Sequence, residues 1–178
     1  MAASSRAAAF AQLRDFLQHD LRNVLRMEHG GNYTAALLVA VGAEALSLLQ
    51  DEEPDHVLIG LLTQHGIDEE MAKDIIDALR HGLAHMFDTT VIQVGKKQIE
   101  LVVSWGEKEH MGYRPEAPGL YLNVRTMWAD LRTALTNVEA HLAADQKWAS
   151  QIPRESAKRW VHQARPKAWP GWERRFDP

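Results

Sequence analysis

The stretch from Asn32 to Gln50 reads NYTAALLVAVGAEALSLLQ and carries a single charged residue, Glu44. Its alanines, leucines and valines leave little polar face, which is typical of a helix covered by neighbours on most sides. Asn32 belongs to the residue types that favour the N-cap position of a helix. We therefore expect a buried central helix here, around which the rest of the chain folds.

Four further segments carry apolar residues at helical spacing, with polar residues on the opposite side. The expected helices cover about residues 5–27, 54–65, 69–87 and 123–142. Gly66 supplies the glycine that commonly follows the last turn of a helix, and Asp68 and Asn123 are suited to cap a first turn. A last short helix is expected near 155–163, after Pro153.

Beyond Phe87 the apolar residues take every second position instead, which is typical of strands. The pattern predicts a β-hairpin at about 90–105, with its turn at 95–98 and a third strand at 120–122. The predicted fold class is mainly α: a helical bundle with a small antiparallel β-hairpin insertion of two or three strands and a C-terminal helical extension.

The composition bounds the class of protein. The chain has 178 residues, of which 46% are hydrophobic, and this is enough for one domain with its own core. It has no cysteine, no apolar run of eighteen residues and no signal-peptide pattern, so we expect a cytoplasmic protein outside the membrane. The formal charge of -4 argues against a general polyanion binder. We expect one domain over 1–150 and an extension over 151–178.

The extension is basic and rich in tryptophan. It holds seven Lys or Arg against three acids. Basic side chains beside aromatic ones can grip phosphates and stack on bases, which makes Arg159, Trp160 and Arg165 candidate RNA-contacting residues. The alternative is that the tryptophans dock the extension onto its own domain or onto a second subunit.

The most distinctive local pattern is Arg80-His81-Gly82-Leu83-Ala84-His85. Arg80 and His85 on a regular helix are about 140° apart in rotation and about 7.5 Å apart along the axis. The long arginine side chain and Gly82 would let both groups reach one anion. Histidine can move protons near neutral pH and arginine can hold a phosphate, so the pair suits metal-free cleavage of RNA by its own ribose 2′-hydroxyl.

These residues resemble the HEPN (higher eukaryotes and prokaryotes nucleotide-binding) motif, an arginine followed by four to six residues and a histidine. His81 stands at the polar position after the arginine, and Asn32 to Ala36 with Glu44 is similar to the second helix of bacterial HEPN-like proteins. The resemblance implies a helical bundle that forms a homodimer, with the two motif copies facing each other. It implies a metal-independent ribonuclease without cofactor, of a toxin-antitoxin or phage-defence type, with an antitoxin or regulatory protein as a candidate partner. The family also includes binding-only members, so the alternative is a non-catalytic nucleotide- or protein-binding module.

Two residues of this region have other interpretations. A carboxylate in an apolar helix must be paired, protonated or exposed, so we expect Glu44 either to pair with Arg80, in a supporting role, or to lie at the helix rim. His81 and His85 have the spacing of two metal ligands on one helix face, but Gly82 stands where a zinc protease needs glutamate, and only Asp88 suggests a third ligand. We therefore predict no metal at this motif, with Arg80 and His85 catalytic and His81 supporting.

Overall fold

A computed structural model of the chain describes residues 5–26, 31–81, 91–105, 110–114 and 119–154. These residues form six helices and one sheet of four strands. The helices are α1 (Arg6–Val24), α2 (Asn32–Leu49), α3 (His56–Thr63), α4 (Glu69–His81), α5 (Val124–Ala144) and α6 (Gln146–Ser150). The strands are β1 (Val91–Val94), β2 (Lys97–Ser104), β3 (Gly112–Arg114) and β4 (Gly119–Asn123). The prediction of a mainly helical protein is confirmed.

The centre of the fold is α2, which packs against α1, α3, α5 and β2. Half of α2 is buried, with Val39, Ala43 and Leu46 fully enclosed, so the predicted central helix is confirmed. By length and composition alone, α2 would also pass for a membrane-spanning helix. Its packing within the bundle is compatible with the core helix of a soluble protein.

The helix starts follow the predicted capping chemistry with one exception. Asp68 accepts a hydrogen bond from the N–H of Met71 at 2.8 Å, and Asn123 caps α5 in the same way. The prediction that Asn32 caps α2 is wrong, because Gly31 occupies that position with a φ of 83°. Asn32 is the first helical residue, and its side-chain Nδ2 donates to the carbonyl oxygen of Val103 at 2.8 Å. This bond ties the start of α2 to the sheet.

The sheet has the strand order β1-β2-β4-β3. The predicted hairpin is confirmed, with β1 and β2 antiparallel around Gly95, whose φ is 61°. The prediction of a small antiparallel insertion of two or three strands is thus confirmed only for the hairpin, since β4 runs parallel to β2 and a further strand, β3, pairs with β4. Alternation along a strand reports which face is buried, but it carries no information about the direction of a distant partner strand.

Gly42 allows three helices to meet closely. A Cβ atom at this position would lie 2.7 Å from the Cδ2 of Leu17 on α1 and 3.2 Å from the Cδ2 of Leu131 on α5. Both leucines are buried, so neither has free space to move into. The absence of a side chain at Gly42 therefore sets the distance between α2 and its neighbours.

A buried arginine joins the start of α1 to the end of α2. Arg6 is fully buried, donates from Nε to the carbonyl oxygen of Leu49 at 2.9 Å, pairs with Asp51, and lies 4.4 Å from the ring centroid of Trp148 on α6. Asp51 also accepts the N–H of Arg154 at 2.7 Å. Burial raises the pKa of Asp51, but these bonds outweigh it and hold the pKa below its ordinary value of 3.8.

Candidate functional site

Arg80 lies in the last turn of α4 and contacts two carboxylates from other parts of the bundle. Its Nη1 donates to Asp55 Oδ2 at 3.1 Å, and its Nη2 donates to the other oxygen of Asp55. Nη2 also donates to Oε2 of Glu44 at 3.3 Å. The predicted pairing of Glu44 with Arg80 is therefore confirmed, whereas the stronger partner, Asp55, was missed.

This cluster contains one cation, Arg80, and two anions, Asp55 and Glu44. Burial lowers the pKa of Arg80, but the bonds and charges of Asp55 and Glu44 outweigh it and raise the pKa above its ordinary value. The guanidinium is therefore a permanent cation. Asp55 binds both terminal nitrogens of the guanidinium. Among the described residues, two of the five N–H donors of Arg80 have no acceptor. The Arg80 side chain as a whole is 38% exposed, so the cluster lies at the surface.

The remaining residues of the predicted site are not brought together by what the structure describes. His81 ends α4, but its side chain and the whole of His85 lie outside the described residues. Arg159, Trp160 and Arg165, the helix near 155–163 and Asp88 lie outside them as well. Of the predicted site, the structure thus brings together Arg80 and Glu44.

A cleft with positive charge lies between α1 and α5. It has a volume of about 410 Å³, and its lining residues are Gln18, Arg22, Leu25, Arg26, Trp128 and Arg132. Among the described residues, no carboxylate lines it and none of its three arginines has an ion-pair partner. Unpaired guanidinium groups beside an indole ring can hold phosphates and stack on a base. The sequence signal for this cleft is the four-residue spacing of Gln18 and Arg22 on α1, continued by Arg26 in the turn after it, and of Trp128 and Arg132 on α5.

A second cleft beside Arg80 has the opposite charge. Its lining residues are Glu44, Leu48, Asp51, Glu52, Glu53, Pro54 and Arg154. Glu44 and Asp51 are paired with arginines outside this lining, and Glu52 and Glu53 still give the cleft an excess of negative charge.

Two histidines and an aspartate meet at the other end of α3. Nε2 of His65 lies 2.7 Å from Oδ2 of Asp130 on α5, and the ring of His110 meets that of His65 edge-on at a centroid distance of 4.5 Å. Nδ1 of His110 accepts the N–H of Asn123 at 3.1 Å. Burial and the charge of His65 lower the pKa of His110 to about 4, against the opposing effect of Asp130. His110 is therefore a neutral imidazole at physiological pH.

The meeting of His65, His110 and Asp130 could not be predicted from the sequence, because the three residues come from separate elements and no local spacing connects them.

The chain matches no protein-family model, and no curated protein or solved structure matches it.

Proposed function

We propose that the protein is a metal-independent RNA endonuclease of HEPN type that acts as a homodimer. In this proposal Arg80 holds the scissile phosphate, His85 transfers the proton, and His81 and Glu44 support them. The mainly helical bundle with Arg80 at the end of its fourth helix supports the proposal. A toxin-antitoxin or phage-defence role in the cytoplasm, with an antitoxin or regulatory protein as partner, belongs to the same proposal.

The observation that carries the proposal is the position of the Arg80 guanidinium. Asp55 and Glu44 both bind it through its terminal nitrogens in the last turn of α4, and His85 follows five residues later in the sequence. An arginine that binds a transition state gains from such prior orientation, because less side-chain freedom is lost when the ligand binds. A phosphate oxygen would accept from the two N–H donors that have no acceptor among the described residues.

The chemistry requires no metal. The ribose 2′-hydroxyl attacks the adjacent phosphorus as His85 takes its proton, and the 5′-oxygen of the next nucleotide leaves with a proton from a second imidazole or water. Negative charge accumulates on the phosphate oxygens, where Arg80 stabilises it. The products are a 2′,3′-cyclic phosphate and a free 5′-hydroxyl. A second chain would supply the second motif copy.

The alternative function is RNA binding without cleavage, and two observations favour it. The forked end of Arg80 is occupied by Asp55, so a phosphate at Arg80 competes with an existing ion pair. The arginines without an ion-pair partner among the described residues, Arg22, Arg26 and Arg132, lie instead in the cleft between α1 and α5. In this alternative the cleft, and not α4, provides the RNA affinity.

The test is incubation of the purified protein with single-stranded RNA in EDTA, beside His85→Ala and Arg80→Lys. His19→Ala is the matched control, since His19 is an exposed histidine on α1. Cleavage that both motif variants abolish and the control retains supports the endonuclease. RNA that is bound but intact supports the binding-only alternative. Cleavage that survives in both motif variants excludes this site.

A further inference from the structure

His65, His110 and Asp130 form a group that the proposed ribonuclease centre does not use. His65 lies just after α3, His110 lies just before β3, and Asp130 lies on α5. One potential ligand atom from each residue lies within 4.8 Å of the other two, and all three residues are partly buried. Groups so far apart in sequence meet here because the fold brings three separate elements to one point.

The chemical identity of the three groups selects the ligand. Two imidazole nitrogens and one carboxylate oxygen form a ligand set of first-row divalent metals such as zinc, whereas Mg²⁺ and Ca²⁺ prefer oxygen ligands alone. Zinc bonds of about 2.0–2.1 Å place tetrahedral ligand atoms roughly 3.3 Å apart. The three atoms lie within 4.8 Å of one another, so rotation of their side chains would bring them to that spacing.

Two existing bonds must change when a metal binds. The proton between His65 and Asp130 would leave, as metal binding commonly requires. The hydrogen bond from the Asn123 N–H to His110 places the ring proton on Nε2, so the His110 ring must turn before it can offer a nitrogen to the metal. Three metal bonds replace the two hydrogen bonds that are lost.

We propose that His65, His110 and Asp130 form a zinc site, with a fourth position open to water. This site is separate from the proposed ribonuclease centre. Asp55 immediately precedes α3 and His65 follows it, so the two ends are roughly 15 Å apart along the helix axis. A metal at this point joins α3, the segment before β3, and α5, and it stabilises the folded chain. Zinc binding here does not depend on RNA cleavage.

The test is a metal titration of the full chain after chelator treatment. Binding of Co²⁺ is followed by its visible absorption and binding of Zn²⁺ by calorimetry, and Mg²⁺ is the negative control. We expect one equivalent of Zn²⁺ or Co²⁺ per chain, tetrahedral absorption bands for Co²⁺, a higher melting temperature with metal, and no binding of Mg²⁺. His65→Ala, His110→Ala and Asp130→Asn should each weaken binding by at least about tenfold.

The matched controls are His56→Ala and His141→Ala, which remove histidines elsewhere on the helices and should leave binding unchanged. His81→Ala/His85→Ala tests the competing site on the motif. Each variant is first checked for the helical circular dichroism of the parent. The proposal is overturned if the parent chain binds no zinc, if the three ligand variants bind it as tightly as the parent, or if binding is lost in the His81/His85 variant instead.

Discussion

Arg80 and Asp55 form a bidentate ion pair that joins the last turn of α4 to the residue before α3. In a binding site, such a pair both orients the guanidinium and competes with any phosphate for it. The balance between these two effects decides whether α4 contributes to RNA binding. It is measurable, because one substitution removes the charge of Asp55 and keeps its shape.

Asp55→Asn should raise the affinity for single-stranded RNA at low salt by about two- to tenfold, because a phosphate then meets a less neutralised Arg80. The loss of stability should be about 1 kcal/mol or less, because both side chains are partly exposed. Fluorescence anisotropy with labelled RNA measures the affinity. In Asp55→Asn/Arg80→Gln the gain should disappear, and equal affinity of Asp55→Asn and the parent would show that Arg80 does not contact RNA.

A role of the cleft between α1 and α5 in RNA binding can be tested through the salt dependence of the RNA affinity. Arg22→Gln, Arg26→Gln and Arg132→Gln should each reduce the slope of log affinity against log salt by about 0.7 for every phosphate contact removed. The control is Lys73→Gln, since Lys73 is already paired with Glu69 and Glu70. RNA titrations over a series of salt concentrations give the slopes. Slopes equal to that of the parent in all three variants would remove this cleft from the RNA-binding surface.

Asp51 predicts how the fold responds to acid. Its pKa in the folded chain lies below the ordinary value, so the stability it contributes is present above about pH 4 and is lost as the pH falls through the lowered folded pKa. Asp51→Asn should cost about 3 kcal/mol at neutral pH, because Arg6 is then buried without a charged partner. Urea unfolding at a series of pH values from about 2 to about 7 follows both effects.

The control for Asp51 is Asp74→Asn, since Asp74 is an exposed residue of α4. Asp74→Asn should lose as much stability as the parent between neutral and acid pH. Asp51→Asn has no carboxylate at this position to protonate, so it should lose less stability than the parent over the same pH range. A parent and an Asp51→Asn variant with the same acid response would contradict the role of the Arg6–Asp51 pair.

Two helical glycines form a matched pair for packing. Gly42→Ala places a methyl group against Leu17 and Leu131, and the overpacking cost of about 1–3 kcal/mol exceeds the gain of about 1 kcal/mol in helix propensity. At Gly60 in α3, an added methyl group would meet no atom within 4 Å, so Gly60→Ala should raise stability by about 0.5–1 kcal/mol. Thermal unfolding compares the two. A Gly42→Ala variant as stable as Gly60→Ala would show that the helices are not in close contact there.

The sequence predicted what depends on neighbours along the chain. The central helix, the caps at Asp68 and Asn123 and the hairpin turn at Gly95 all follow from composition and spacing over a few residues. The Asn32 cap was wrong because Gly31, with its positive φ, competes for the same position at no steric cost.

Contacts between distant elements could not be predicted in the same way. The parallel pairing of β2 with β4 depends on the path of the chain between them, and the partner of Arg80 depends on how α3 packs against α4. Glu44 was predictable because an apolar helix leaves a lone carboxylate few alternatives. Asp55 was not, since an acid near the start of a helix already has a local explanation. The group around His65 has no local signal at all.

In the proposed reaction the RNA supplies its own nucleophile at Arg80 and His85. Cleavage in EDTA of one RNA oligonucleotide and its all-deoxy counterpart, with the product ends identified by mass spectrometry, tests this step. We expect the RNA to be cut to a 2′,3′-cyclic phosphate and a 5′-hydroxyl, the DNA to stay intact, and His85→Ala to cut neither. Cleavage of the DNA, or RNA products that carry a 5′-phosphate, would rule out the 2′-hydroxyl as nucleophile.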